Sequence, residues 1–474
     1  MRRTLALAAY LLAASCSQHV YGAVLSAGTI TNDTAESPLH IIKLKNQNQT
    51  SMSSSDGGTC FDPLSFIRKQ YALFRMKQLS TSSSPQGGAG AGGGVVSSSG
   101  GNGVDISLDT IQIGRQYAAV IGSFDAPFTQ YLHKLDAIDY VEPNRVYRVA
   151  AAVPPTTTTI TGQKLLNVSS WGIARVNQRE KGDLSSSTFN DNLAGEGVHV
   201  YILDTGINIH HPDLEGRAAV EANYINYEED DDYSGHGTDK NIKTKMMYIN
   251  RTLTYDKMDL GTHVAGTVAG NTFGVAKKAQ VHSVKVLDRN GDGTTVALIK
   301  AISHVSQIAR EGKSIINLSL SGPRSQAIDD ALATAANEHR IPIFVAAGNS
   351  ADDACQYTPS ANPVVFAVGA STIDDEVADY SSFGECVRLY APGTGITSAW
   401  LGQDNHTMDG TSMANPHVTG IAALLMGHHE FNDVQELYDT LQALATKNVL
   451  KMPAAAQGVE NHNLLAYTGI EALG

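Results

Sequence analysis

GTSMANPHV at residues 410–418, running into TGIAALLM at 419–426, is the stretch whose reading decides the fold. Small residues flank Ser412, and Val418, Ile421, Ala422, Leu424 and Leu425 then recur on one face, which predicts a buried helix beginning at the serine. The hydroxyl is therefore expected at the positive end of a helix. Gly410 allows the backbone close to a ligand, and Pro416 is expected in the first helical turn. A serine hydroxyl is a weak nucleophile by itself, so this reading requires a base and a group that orients the base.

Working outward, short apolar strands ending in Gly or Asp are read at 197–206, 315–322, 341–349, 364–370 and 387–393, and they alternate with helices at 296–310, 325–340, 411–427 and 433–446. Such alternation predicts an α/β domain: a mostly parallel central sheet flanked by helices on both faces, with ligand chemistry at the carboxyl ends of its strands. Asp204, followed by Thr205 and Gly206, ends the first strand and falls at that edge. His236 comes next, in GHGT at 235–238, and Ser412 is last.

The 474 residues suffice for more than one domain, and 42% of them are apolar. A net charge of −13 with scattered lysines and arginines argues against a nucleic-acid partner. Met1 to Gly22 has Arg2, Arg3 and an apolar stretch from Leu5 to Ala14, the pattern of a secretory signal peptide, and no other stretch is apolar for long enough to span a bilayer. Residues 38–149 give a strand (PLHIIKLKN), a helical pattern (FDPLSFIRKQYALFRMKQL), then strands and a short helix. They are read as a small α+β unit interrupted by a structureless Ser/Gly insert at 80–103. Pro154, Pro155 and the threonines after them form a linker suited to proteolytic nicking. Cys355 and Cys386 leave the main domain one internal disulfide or two buried thiols. Glycosylation is expected at Asn32, Asn48, Asn167, Asn250 and Asn405, and not at Asn317, which lies in a strand-like run.

DTG, GHGT, HVAGT, AAGN and GTSMANPHV, in that order, resemble the subtilisin-like serine peptidases. The flanks WGIARVNQREKG, DAC and ECVRLYAPG resemble the proteinase K and cerevisin branch. The order Asp, His, Ser is the one already described for subtilisin. The resemblance covers 167–474 as a catalytic domain and implies that 23–166, with its folded part 38–149, is an inhibitory, chaperone-like propeptide removed by a cut near 154–170. It implies Ser412 as nucleophile, His236 as base and Asp204 as the residue orienting the imidazole. Asn349 of AAGN is implied as the oxyanion donor, a group whose loss costs on the order of 10²–10³ in turnover, a figure measured on subtilisin itself. Ser319, Leu320 and Ser321 resemble a backbone strand that pairs with an extended substrate, Ser321 standing where glycine is usual; Gly291 and Gly293 resemble the opposite wall. The resemblance as a whole implies a secreted or vacuolar endopeptidase, expected as a monomer, acting on protein or peptide substrates and inhibited by its own propeptide.

No cofactor is expected. DRNGDGTT at 288–295 fails as a calcium loop because its twelfth position is Ile299. The carboxylate with which relatives often hold structural calcium, just before the APG turn, is Arg388 here. The acidic run Glu228–Asp232 has the charge to attract a cation, and a solvated loop is the usual reading of such a run.

The chain departs from the family at its base. GHGT is separated from GTHVAGT by residues 238–261, with Leu260 where a second copy of the histidine would stand, and excising 238–261 restores GHGTHVAGTVAG. The segment is read as a translated intron or a gene-model error, absent from the expressed protein. A genuine insertion would instead displace His236 and leave a peptide-binding relative that does not cut. His263, in the second half of the split block, and His417 are read as packed helix residues.

Overall fold

The computed structural model describes residues 38–45, 62–82, 106–150, 170–185, 194–225, 228, 260–402 and 404–469. They divide into two compact units, one drawn from 38–110 and 119–141, the other from 111–118 and 142–469.

A four-stranded sheet, with most of its residues in the first unit, is built from β1 (Leu39–Leu44), β2 (Leu108–Ile113), β3 (Tyr117–Ser123) and β4 (Ile138–Pro143) in the order β2-β3-β1-β4. Its helices are α1 (Pro63–Ser82) and α2 (Ala126–Leu132). In the antiparallel β1–β3 pair Ile41 faces Ile121 and Ile42 faces Val120. Ile42, Ile67, Val120, Phe124 and Phe128 then close a core, with Tyr71 edge-on to Phe128 at 4.9 Å. Asp125 starts α2 by accepting the Phe128 N–H at 2.9 Å, a conventional N-cap. Helix α1 continues to Ser82, into the first residues of the Ser/Gly stretch expected to be structureless; 83–103 lie outside the described residues.

The second unit contains, in chain order, β5 (Val146–Val149), α3 (Trp171–Val176), β6 (His199–Asp204), β7 (Ala218–Asn223), α4 (Leu260–Ala269), β8 (Gln280–Lys285), β9 (Asp292–Thr294) and α5 (Thr295–Ile308). Next come β10 (Ser314–Leu318), β11 (Leu320–Ser321), α6 (Gln326–Glu338), β12 (Ile343–Ala346), β13 (Phe366–Ser371) and β14 (Val387–Pro392). The hairpin β15 (Ile396–Ala399) and β16 (Asn405–Met408), helices α7 (Thr411–His428) and α8 (Val434–Leu444), and strands β17 (Thr446–Lys447) and β18 (Leu464–Leu465) complete it. The main sheet runs β17-β18-β14-β13-β12-β10-β6-β8-β7, parallel throughout except where β17 meets β18. Every residue of β6, β10, β12 and β13 is buried, as a sheet covered on both faces demands. The α/β class and the parallel sheet are as the alternation predicted, although β7 and β8 had no counterpart in the sequence reading.

Helix α7 differs from expectation in two ways. From Thr411 to Met426 it is buried all round rather than on one face, because it packs on α4 and on β10, β12, β13 and β14 together. Pro416 lies in the helix interior, beyond the first turn. Proline brings no N–H to the Ser412 carbonyl; that oxygen is approached instead by the Ser319 hydroxyl at 3.5 Å. A buried amide network pins the helix to the sheet. Asn415 Nδ2 donates to Asn317 Oδ1 (3.0 Å), Leu318 O (3.1 Å) and Phe344 O (3.2 Å), and Thr419 Oγ1 donates to Asn317 Oδ1 at 2.7 Å. The network fixes the helix against the sheet through Asn415 Nδ2 and Thr419 Oγ1, leaves Asn415 Oδ1 unpaired, and includes Asn317, which is fully buried.

Candidate active site

The parallel register brings the outer members of the acid–base–nucleophile order to one rim. Leu203 of β6 is paired with Leu318 of β10, so Asp204 and Ser319, the next residues, stand side by side on strands ~4.8 Å apart. Ser412, in the first turn of α7, places its Oγ 3.1 Å from Ser319 O and 3.1 Å from Ala150 O. Asp204 is fully buried and its Oδ1 accepts the Thr205 N–H at 2.8 Å.

Asn349 faces the same carbonyl. Its Nδ2 donates to Ala150 O at 2.8 Å, while its Oδ1 accepts the Thr411 N–H at 2.9 Å and the Thr411 hydroxyl at 2.7 Å. Gly410 is required beside it, because a Cβ there would lie 3.2 Å from Asn349 Nδ2 and 3.6 Å from Ala150 O, on a backbone with φ +153°. The arrangement is a hydroxyl and an amide donor converging on one extended-chain carbonyl.

That carbonyl comes directly after β5, the central strand of a three-stranded antiparallel sheet β11-β5-β9. Val149 pairs with Leu320 and Arg148 with Ser321 on one side; Tyr147 pairs with Gly293 and Arg148 with Asp292 on the other. The Val149 N–H donates to Gly291 O at 2.9 Å and the Ala150 N–H to Ser319 O at 3.3 Å. Ser319, Leu320, Ser321, Gly291 and Gly293 thus form two walls around an added strand. Ser321 takes part in the pairing without distortion. Ala150, Thr411 and Tyr147 were missed by sequence reasoning. Thr411 sits inside the quoted GTS motif, and Ala150 comes immediately after the region closed at Val149, but nothing local marks either as meeting Asn349.

His236 lies outside the described residues, as do 229–259. Leu260 opens α4, buried to 1% exposure. The residue after it is clamped to the strand end carrying Asp204: the Gly261 N–H donates to Thr205 Oγ1 at 3.1 Å, and a Cβ on Gly261 would collide with Gly206 O. His263 is fully buried, its Nε2 lying 3.1 Å from both Ile396 O and His406 O. Burial holds its imidazole down to about 3. His417 is likewise buried, its Nδ1 2.9 Å from Met413 O, and burial holds it down to about 4. These ring hydrogen bonds go to backbone carbonyls and not to Asp204 or Ser412. Glu228 corrects one expectation. Rather than sitting in a solvated loop it pairs with Lys285 at 3.1 Å, both side chains being 10% exposed or less, and Lys285 also donates to Thr205 O. A buried cation therefore stands one residue from Asp204, held there because a buried charge needs a partner.

Arg388 donates through Nη2 to Pro363 O at 2.7 Å, so a cationic side chain occupies the place where a carboxylate would be needed for calcium; the residues present do not fit that ion. Among the described residues no group of three or more His, Cys, Asp or Glu is arranged to hold a metal. Asp288 of the 288–295 loop accepts the N–H groups of Asn290 and Asp292 through one oxygen, at 2.8 and 3.0 Å, a self-satisfied turn. Cys355 and Cys386 are joined in a disulfide. No described helix is long and apolar enough to cross a membrane.

Comparison with known proteins gives the same outline. The family model described as the Subtilase family matches residues 195–462. Subtilisin-like protease 6 of Trichophyton schoenleinii is 39% identical over 324 residues, 66% of this chain and 72% of that protein. Subtilisin-like protease 6 of Arthroderma gypseum is 37% identical over 350 residues, 72% of this chain and 76% of that protein. A solved structure described as a cold adapted subtilisin-like serine proteinase superposes with a TM-score of 0.53 at 33% identity, covering 63% of this chain and 97% of that one.

Proposed function

The chain belongs to the subtilase family and is a serine-type endopeptidase acting on protein substrates, and from that premise we propose how its residues do the work. Ser412 Oγ attacks the scissile carbonyl, His236 takes its proton and returns it to the leaving amine, and Asp204 holds the imidazole in orientation. Asn349 Nδ2 stabilises the developing oxyanion. The observation that carries this assignment is the convergence of Ser412 Oγ, at 3.1 Å, and Asn349 Nδ2, at 2.8 Å, on the single carbonyl of Ala150. Both groups donate to the carbonyl oxygen, so the hydroxyl that would attack and the amide that would hold the oxyanion meet at one carbonyl, as acyl transfer requires.

The protein is made as a zymogen, with residues 38–149 as its own inhibitor. Strand β5 supports this, because it fills the groove between β11 and β9 that a substrate strand would need. Export into the secretory pathway is part of the proposal. It rests on the Arg2-Arg3 and apolar pattern of residues 1–22 and on the Cys355–Cys386 disulfide, which suits an oxidising compartment.

The position of Leu260 at the opening of α4 favours a second reading, in which the chain with 238–261 retained binds peptides without cutting them. One experiment separates the two. A serine-directed phosphonate applied to the protein after removal of residues ahead of the catalytic domain labels Ser412, and Ser412→Ala abolishes the label. Absence of labelling in the unmutated protein leaves the binder.

A further inference from the structure

We infer that the peptide bond after Ala150 is the one this enzyme cuts in its own chain, and that Tyr147-Arg148-Val149-Ala150 spells out its substrate preference, with a phenol ring at the fourth position before the bond. The inference rests on the endopeptidase reading above. Linker composition points to 154–170, but exposure alone does not choose a bond. The choice falls to the carbonyl held at the nucleophile, since a misplacement of about 1 Å can cost roughly 10²-fold.

Strand register fixes which carbonyl that is. Tyr147 opposite Gly293, Arg148 opposite Ser321 and Val149 opposite Leu320 leave Ala150 at the end of the ladder, its N–H on Ser319 O and its C=O before Ser412 and Asn349. A slip of one residue would turn every side chain to the other face, and the side chains forbid it. Tyr147 is fully buried and its hydroxyl donates to Pro323 O at 2.5 Å. Its ring lies against Gly322, where a Cβ would collide with the ring. Gly322 cannot withdraw, because its N–H and C=O are both bonded to Thr358, at 3.0 and 3.1 Å. The slot is therefore glycine-floored, rigid and ended by a carbonyl acceptor, which suits a tyrosine. Val149 is 6% exposed and packs over Gly291, where a Cβ would come within 2.7 Å of its methyl. Arg148 points outward, its side chain 75% exposed and paired with the exposed Asp292, so it contributes little selectivity.

In the reaction, Ser412 Oγ bonds to the Ala150 carbonyl carbon and the C–N bond to residue 151 breaks. The Oγ proton passes through the imidazole to the departing amine. Water then hydrolyses the ester, leaving an Ala150 carboxylate and free Ser412. No oxidant, metal or further reactant enters.

The test uses the full chain and the mature enzyme released from it. N-terminal sequencing of the mature protein is expected to begin at Ala151, and the full chain carrying Ser412→Ala is expected to stay uncut. A quenched peptide of the sequence Val-Tyr-Arg-Val-Ala-Ala-Ala-Val, residues 146–153, is expected to break after its first alanine. Replacing its tyrosine by alanine should lower kcat/KM roughly 10- to 100-fold, and enzyme carrying Gly322→Ala should no longer distinguish the two peptides. Cutting of both chain and peptide at another bond, with Ser412 still labelled by the phosphonate, overturns this inference and leaves the endopeptidase standing. Loss of labelling and cutting together overturns both.

Discussion

Asn349 is aimed by Thr411: the asparagine Oδ1 accepts both the N–H and the hydroxyl of the threonine, at 2.9 and 2.7 Å, which leaves Nδ2 as the group that can face Ala150 O. An amide is nearly symmetric in shape, so without that double anchor either end could point at the carbonyl. We expect Asn349→Leu to lower kcat by about 10²–10³ with little change in KM. Thr411→Val removes one of the two anchors and should lower kcat by roughly 10-fold. Steady-state kinetics on a peptide substrate check both, and a rise in KM without loss of kcat would contradict the assignment.

Gly261 is clamped to Thr205 at the start of α4. In a chain lacking 238–261, His236 and Gly237 come directly before Thr262 and take the places of Leu260 and Gly261. Deleting 238–261 is therefore expected to raise kcat, on the order of 10²-fold or more relative to the chain that retains them. Mass spectrometry of active protein from its natural source should find no peptide from 238–261. Finding those residues in a fully active enzyme would defeat the intron reading.

Stability is expected to fall on acidification below about pH 6.5. In the unfolded chain the rings of His263 and His417 protonate near 6.5, whereas burial delays protonation of the folded protein to about 3 and about 4. Between those limits the unfolded state binds more protons, so stability is fully present above 6.5 and is lost as pH drops. Thermal unfolding of His417→Gln across pH 4 to 7 should show a shallower slope than the unmutated protein; equal slopes would remove His417 from the account.

Arg388 donates to Pro363 O and puts a cation just before the APG turn, at the position where calcium binding would need a carboxylate. Chelation with EDTA is expected to leave the thermal midpoint unchanged, and Arg388→Ala to cost about 1 kcal/mol with or without calcium. A midpoint that drops on chelation would show a bound ion these residues do not suggest.

The Cys355–Cys386 bridge closes a separation of 31 residues, for which the chain-entropy account gives on the order of 3–4 kcal/mol. Replacing both cysteines with serine should lower the thermal midpoint, measured by calorimetry on the mature enzyme.

The sequence by itself determined what is written in local order: apolar strands ending at Asp204 and before Asn349, the helix announced by GTSMANPHV, and the split in the histidine block. Side-chain period and small-residue motifs are properties of neighbours along the chain, so one sequence displays them. It misread what depends on surroundings. Pro416 sits inside α7, where the hydroxyl of Ser319, between β10 and β11, approaches the carbonyl the proline leaves, and α7 is buried all round because the sheet and α4 enclose it. Only the tertiary structure decided that Thr411 aims Asn349, that the buried Lys285 joins Glu228 to the Thr205 carbonyl, and that Ala150 lies at Ser412. Those relations join residues up to 262 positions apart; they arise from strand register and close packing, and no local spacing encodes them.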